Sequence, residues 1–453
     1  MFDFNQHLER KLGLFPVTNI VVANIIGAGI FTTTGYIMDF LGNPWLMIGL
    51  WCVGGLISFC GALAFGELGA AYPEAGGEYV FISKLFSPLL GFLSGWLSLL
   101  VAFSAPIAAS AIGFSKYVIW AFPDFQHALM LNDAISPETF SSLLAILLIL
   151  GFSLIHSSGV VFGARVQNVL TVFKVVLLVG LIMAGFAFGE GSFTHFQTPH
   201  TLRFDFEGWK AIGLSLVFVM YAYSGWNSAT YIGSEIRNPR KIIPLSLLIS
   251  TLVVTVLYVL LNLFFVYAIP VQQMVGEPEI AGMAAGSAFG PIAEKVISLL
   301  IAFALFSSLS AFIILGPRVY YKMARDGYFF KSIAAIQPQR KVPVNAIYLQ
   351  AAIAIVLVLS GTFEQILIYM GFALGIFPVI AVAGVFVLRK RKKSVLPLWG
   401  YPWVHIVFVV SGVVMLVLAF FQQPVESTVA ILTVLSGIPV FYWFKARKKK
   451  AEN

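Results

Sequence analysis

Asn24-Ile25-Ile26-Gly27-Ala28-Gly29-Ile30-Phe31-Thr32-Thr33-Thr34-Gly35 interrupts an apolar run that covers residues 14–37. A run of about 20 apolar residues is long enough, as a helix, to cross the ~30 Å hydrocarbon core of a bilayer. Two glycines near its middle weaken the helix and let a ligand approach the backbone. Small residues also serve close packing between membrane helices, and this stretch alone fits packing at least as well as binding. Tyr221-Ala222-Tyr223-Ser224-Gly225-Trp226-Asn227-Ser228-Ala229 changes that balance. It sets a polar, aromatic, glycine-bearing patch inside another apolar run. Gly27 and Gly225 each fall in the first helix of a possible five-helix half. Paired interrupted helices in corresponding positions point to a transporter built from inverted repeats, with its site at the bilayer midplane. The repeat rests on this placement, not on residue-level similarity between the halves.

The rest of the chain has the composition of a membrane bundle. Of 453 residues, 59% are hydrophobic and 11% charged, against ~25% charged in soluble domains. No alternation of the kind that builds a membrane β-barrel runs through the chain. Apolar spans fall at roughly 14–37, 45–71, 88–121, 140–157, 165–188, 208–232, 242–269, 285–321, 342–360, 363–388, 402–421 and 425–444. The expected fold is an all-α integral membrane protein of twelve helices, forming one unit over residues 1–453. Helices 1–5 would occupy about 14–188, helices 6–10 about 208–388, and accessory helices 11 and 12 about 402–444.

The net charge of +8 does not indicate nucleic acid, because its placement follows the membrane. The densest runs, Arg389 to Lys393 and Lys445 to Lys450, directly follow apolar spans. All but five of the 28 Lys and Arg residues fall on one side of a twelve-span topology. Lys116, Arg203, Lys210 and Lys295 fall on the other side, and Lys174 lies within a span. That asymmetry places both termini in the cytoplasm of a cell with the chain in its membrane. The basic tail could touch anionic lipid. The polar start leads straight into a full-length span, so no cleavable leader is expected. Cys52 and Cys60 share one span, about 12 Å apart as helix, too far for a disulfide. The six histidines lack metal-ligand spacing, and no cofactor or metal is expected.

Each helix break would free backbone N–H groups at one half-helix and carbonyls at the other. Such groups survive at membrane depth only where they line a cavity or meet a ligand. Half-helix N-termini favour an anion such as a carboxylate, and free carbonyls favour an ammonium. Together they suit a zwitterionic α-amino acid. Neither break contains Asp, Glu, Lys or Arg, which points to a neutral ligand side chain.

These residues resemble the amino acid–polyamine–organocation permeases, and within them the L-type amino-acid transporters and their bacterial relatives. The resemblance covers about the whole chain. It is carried by IIGAGIF at 25–31, YAYSGWN at 221–227, SEIRNPRKIIP at 234–244, YVLLN at 258–262, RVQNVLTVFK at 165–174 and PRVYYKMARDG at 317–327. It implies the leucine-transporter (LeuT-type) fold, with helices 1–5 and 6–10 as inverted repeats and helices 1 and 6 discontinuous. It implies that backbone N–H groups of Ile26, Gly27, Ala28 and Gly29 hold the substrate carboxylate. Carbonyls from Tyr221 through Ala222 and Tyr223 to Ser224 would receive the ammonium. Tyr221 stands where an aromatic closes over the substrate, and Asn227 where the family shapes the side-chain pocket. Many members carry Ser where this chain has Ala28, so one hydroxyl is lost. Animal L-type transporters are tethered to a glycoprotein through a disulfide between helices 3 and 4. Phe122 to Thr139 contains no Cys, so no disulfide-linked heavy subunit is expected.

Lys174 lies deep in span 5, where a lysine costs at least ~2.5 kcal/mol on insertion scales and snorkelling is hard. It could be a structural cation satisfied by carbonyls. In sodium-coupled relatives of this fold, a sodium ion links helices 1 and 8 near helix 5. The resemblance places the lysine amine there, bonded to carbonyls of helix 1 near Gly27, with Ser308 or Ser310 as further partners. Sodium-independent transport follows as an expectation. A fixed ammonium suits exchange, and one that loses its proton suits proton symport. Tyr258 of helix 7 could reach the helix 1 break and bind substrate through water, or could merely pack. Glu67 reads as structural, His156 as bland, and Glu235 with Arg237 and Arg240 as a cytoplasmic gate or a solvated link. The small residues from Phe103 to Ser110 hint at room in the pocket.

A membrane-embedded enzyme would need clustered His or Asp, and the chain has neither HExxH, paired aspartates nor a phosphate-binding glycine loop. A channel would need a filter with charge rings. The closer alternative is a cationic amino-acid or polyamine permease, which wants an acid facing the site. A non-transporting sensor on the same fold is more distant. The expected partners are a neutral amino acid and membrane lipid.

Overall fold

Proline and a capping side chain open several of the long helices. Asn43, Ser87 and Ser136 each accept a backbone N–H three residues on, from Leu46, Leu90 and Thr139. Pro44, Pro88 and Pro137 follow them in the first turn. Such caps satisfy N–H groups that the helix start leaves without partners, and proline there loses no needed donor. Asp205 does the same for Gly208.

The computed structural model describes residues 8–122, 136–197, 205–277, 279–360, 363–396 and 400–452. Its helices are α1 (Leu14–Ile25), α2 (Gly29–Leu41), α3 (Pro44–Ala71), α4 (Glu78–Leu85), α5 (Pro88–Leu97), α6 (Ser104–Ala121), α7 (Pro137–Ser157), α8 (Val160–Phe188) and α9 (Phe206–Ala222). There follow α10 (Pro239–Ala268), α11 (Val271–Met274), α12 (Ile280–Phe289), α13 (Pro291–Arg325), α14 (Val344–Ser360), α15 (Phe363–Lys390), α16 (Trp403–Gln422) and α17 (Pro424–Glu452). The fold is all-helical, with only two isolated β-bridges, Leu12 with Ile236 and Ala75 with Ile232, among the described residues.

Ten helical stretches among these residues have the length and apolarity to cross a membrane. One of them is α1 with α2, taken as a single broken stretch. α9 and α14 are apolar but only 17 residues each. One expected boundary is corrected. The span placed at 285–321 starts at Pro291, because Gly290 (φ +88°) separates it from the short α12.

The helices sort by their packing. α3 runs along α10, and α1 and α2 lie against α10 and α9. α6 runs along α13, and α7 packs on α14. Helices five places apart in the expected order therefore meet: second with seventh, third with eighth, fourth with ninth. α8 bridges the two groups, touching α1, α10 and α13. Both ends of the described chain reach one face. Lys11 and Leu12 donate their N–H groups to the Glu235 carbonyl, and Lys448 reaches the Asp326 carbonyl. The Phe122–Thr139 link, on which the disulfide expectation rests, lies largely outside the described residues.

Candidate functional site at the two helix breaks

Both glycine-bearing stretches are broken. α1 stops at Ile25, Ile26 turns to φ −74°, ψ 88°, and α2 restarts at Gly29. α9 stops at Ala222, and the chain runs through Gly225 at φ +102° into two short 3-10 turns. The breaks face each other. A Cβ on Gly225 would lie 2.4 Å from Asn24 Oδ1, so this left-handed, crowded position requires glycine. Asn24 Oδ1 also accepts the Ser228 hydroxyl at 2.5 Å.

Between the breaks lies a narrow cavity of about 30 Å³, lined by Ile25, Gly27, Ala28 and Gly29 on one side and Tyr221, Ala222 and Ser224 on the other. The first N–H groups of α2, like those of any helix start, have no acceptor within the helix. One expectation is corrected. The Ile26 N–H already bonds the Val22 carbonyl at 3.0 Å, completing the last turn of α1, so it is not free for a carboxylate. The Tyr223 side chain turns away from the cavity, with its hydroxyl on the Trp51 carbonyl at 3.0 Å.

Tyr221 lines three cavities at once. One is the central cavity, and one lies toward the face opposite the termini, with Thr32, Thr33 and Phe218. The third extends past Asn227 to Glu78, Ser98 and Tyr231. Its ring is half-buried and stands at the junction of the three.

Lys174 sits at the middle of the 29-residue α8 and is 1% exposed. Its Nζ donates to Ile26 O at 2.7 Å, Ser308 Oγ at 2.9 Å and Ala23 O at 3.3 Å. An ammonium has three donors, and here each finds an acceptor. The Ser308 hydroxyl also reaches Ile26 O, at 2.6 Å. Ser310 is not a partner of Lys174. Two residues along a helix turn the side chain by about 200°, and Ser310 meets His156 Nε2 at 2.8 Å instead. The buried Tyr258 hydroxyl lies 2.8 Å from Ile25 O and 3.0 Å from Ala222 O, joining the two breaks through one group.

Asn227 lines the third cavity, and its Nδ2 donates to Glu78 Oε1 at 2.7 Å. Glu78 was not among the candidates read from the sequence. Its signal was an acid directly after Gly76-Gly77, in a segment that otherwise read as an ordinary link. Glu235 pairs with neither Arg237 nor Arg240. It is wholly buried and holds Arg318 at 2.7 and 3.1 Å. Glu67 pairs with Arg389 at 2.9 Å, tying α3 to α15. No group of three His, Cys, Asp or Glu that could hold a metal occurs among the described residues.

A family model described as amino acid permease matches residues 12–442. The chain belongs to the amino acid permease family. This permease is 28% identical over 441 residues to the Asc-type amino acid transporter 1 of Mus musculus, covering 96% of the chain and 81% of that protein. It is 28% identical over 447 residues to the large neutral amino acids transporter small subunit 2 of Homo sapiens, covering 96% and 80%. It is 27% identical over 444 residues to the b(0,+)-type amino acid transporter 1 of Mus musculus, covering 96% and 88%. The family and these relatives are transporters of amino acids, not enzymes.

Proposed function

We propose that this chain is a secondary active transporter of neutral L-amino acids that works by alternating access without sodium, by exchange or with proton coupling. The observation that carries the reading is the central cavity. Two broken helices supply its wall, and no charged side chain lines it among the described residues. N–H groups of Gly27, Ala28 and Gly29 would take the carboxylate, and carbonyls from Tyr221 to Ser224 the ammonium. Tyr221 would close over the ligand. Lys174 with Ser308 would hold the helix 1 break in place of a dissociable cation, and Tyr258 would couple it to the helix 6 break.

The proposed architecture has twelve spans, ten of them in inverted five-helix halves. The pairing of α3 with α10, α6 with α13 and α7 with α14 supports it. The proposed location is the cell membrane, with both termini in the cytoplasm, in keeping with the shared face of the two ends. One relative is named a small subunit. For this chain we propose no disulfide-linked partner, since its two cysteines both lie in α3.

The test is uptake by the purified protein in liposomes. A panel of neutral amino acids, lysine, arginine and putrescine is offered with and without internal amino acid, a proton gradient and sodium. Neutral substrates carried without sodium support the reading. Uptake confined to the cationic compounds, or dependent on sodium, overturns it.

A further inference from the structure

Glu78 is an acid that neither helix break supplies. It opens α4, outside the helices that cross the membrane. Yet it is 6% exposed and forms part of the cavity wall that also holds Asn227. Asn227 Nδ2 donates to its Oε1 at 2.7 Å and to the Tyr231 hydroxyl oxygen at 3.3 Å. The Tyr231 side chain also hydrogen-bonds Glu78. Phe103 of α6 packs edge-on against the Tyr231 ring, and Tyr320 of α13 interacts with Tyr231 electrostatically. The charged groups near the rest of α4 are engaged elsewhere. Asp326 takes the Tyr79 hydroxyl and Lys322, Lys84 and Lys322 pair with Glu74, and Arg389 pairs with Glu67. Arg391 bonds the carbonyls of Lys84 and Leu85 at the far end of α4. No cation pairs with Glu78 among the described residues. Burial without one pushes its carboxyl up to about 7.

The chemistry of the pair is asymmetric. An ionised carboxylate only accepts hydrogen bonds, whereas a protonated one also donates. An amide has a donor end and an acceptor end. Ionised Glu78 holds the Nδ2 end of Asn227 and turns Oδ1 the other way. Protonated Glu78 can instead donate to Oδ1 of the reversed amide, which turns Nδ2 outward.

We propose that Glu78 is a positioning residue whose protonation sets which end of the Asn227 amide faces the ligand side chain, so that pH tunes preference among neutral amino acids. This rests on the amino-acid reading of the central cavity, which shares Tyr221 and Ser224 with the cavity that Asn227 lines. Low pH would favour a side chain that only accepts, and high pH would disfavour it.

O-methylserine and norvaline have nearly the same shape, but only the first carries an acceptor oxygen. Both are measured by counterflow in liposomes from pH 6 to pH 8. The kcat/KM ratio of O-methylserine to norvaline is expected to rise about 3- to 10-fold toward pH 6, the scale of one net hydrogen bond. Norvaline cancels any pH effect common to both, including one from Lys174. In Glu78→Gln the ratio is expected to stay flat, because a primary amide offers both ends at every pH. If that variant does not fold, Asn227→Ala removes the amide and is expected to flatten the ratio equally. A flat ratio in the wild type, or an unchanged slope in the variants, overturns the inference while amino-acid transport stands. Carriage of neither compound by the wild type overturns both readings.

Discussion

Gly29 and Ala222 let the two broken helices touch, since a Cβ on Gly29 would lie 2.6 Å from the Ala222 Cα. Gly27 is different, because a Cβ there meets nothing closer than Ser308 Oγ at 3.9 Å. The two glycines of one motif therefore have separate duties. Gly29→Ala is expected to destabilise the protein by about 1–3 kcal/mol through overpacking, read as a lower melting temperature in detergent. Gly27→Ala is expected to keep the wild-type melting temperature and to lose affinity for substrate. Equal melting temperatures for the two variants would contradict the assignment.

Lys174→Met keeps an unbranched side chain one atom shorter and removes the three hydrogen bonds to Ala23, Ile26 and Ser308. Bonds to a charged group contribute about 1.5–3 kcal/mol each. Exchange is expected to fall by at least about tenfold, with a monodisperse protein still recovered by size-exclusion chromatography. Wild-type rates in this variant would leave Lys174 a purely structural cation.

Tyr258→Phe deletes one oxygen and keeps the ring. Only the link between Ile25 O and Ala222 O is lost. A drop of about 2- to 10-fold in turnover is expected, from ~0.5–1.5 kcal/mol of net hydrogen bonding. Initial exchange rates measure it, and a larger fall in protein yield than in rate would point to packing alone.

The raised Glu78 carboxyl has a consequence for stability with a definite sign. Between its ordinary value of 4.5 and about 7, the folded protein binds more protons at this group than the unfolded chain does. Stability from this group therefore falls as pH rises through that window. Melting temperatures of the wild type are expected to decline from pH 5 to pH 8 relative to Glu78→Gln. A parallel pair of curves would exclude an ionising, unpaired Glu78.

Glu235 and Arg318 form a buried pair, and removing one partner strands the other charge. Glu235→Ala is expected to cost about 3–5 kcal/mol. The double variant Glu235→Met with Arg318→Met is expected to recover most of that loss. Thermal melts of the single and double variants give the coupling directly.

Much of this was legible in the sequence because the membrane makes exceptions conspicuous. Apolar length marked the spans, and glycine beside polar groups marked the breaks. Lys174 stood out because a cation inside an apolar run needs partners. Side-chain direction was not legible where no such constraint acts. Ser308 and Ser310 are two residues apart, and only the packing of α13 against both α7 and α8 decides which serine meets Lys174. The direction of the Tyr223 side chain, toward the Trp51 carbonyl, follows from the end of α9 and has no mark in the sequence. Glu78 escaped notice because its partner Asn227 is 149 residues away, and nothing local marks a link residue as buried. The start of α13 was misplaced because Ala284 to Phe289 is as apolar as the helix that follows Gly290.

The amine of Lys174 is covalently part of α8, which gives the helix break a cation that dilution never removes. A free ion occupies such a place in proportion to its concentration outside, whereas a tethered one has a fixed effective concentration. Occupancy at Ile26 is thus independent of the salt concentration, and only proton loss can vacate the charge. A transporter built this way would meet the same amino acid with the same grip in fresh water and in brine.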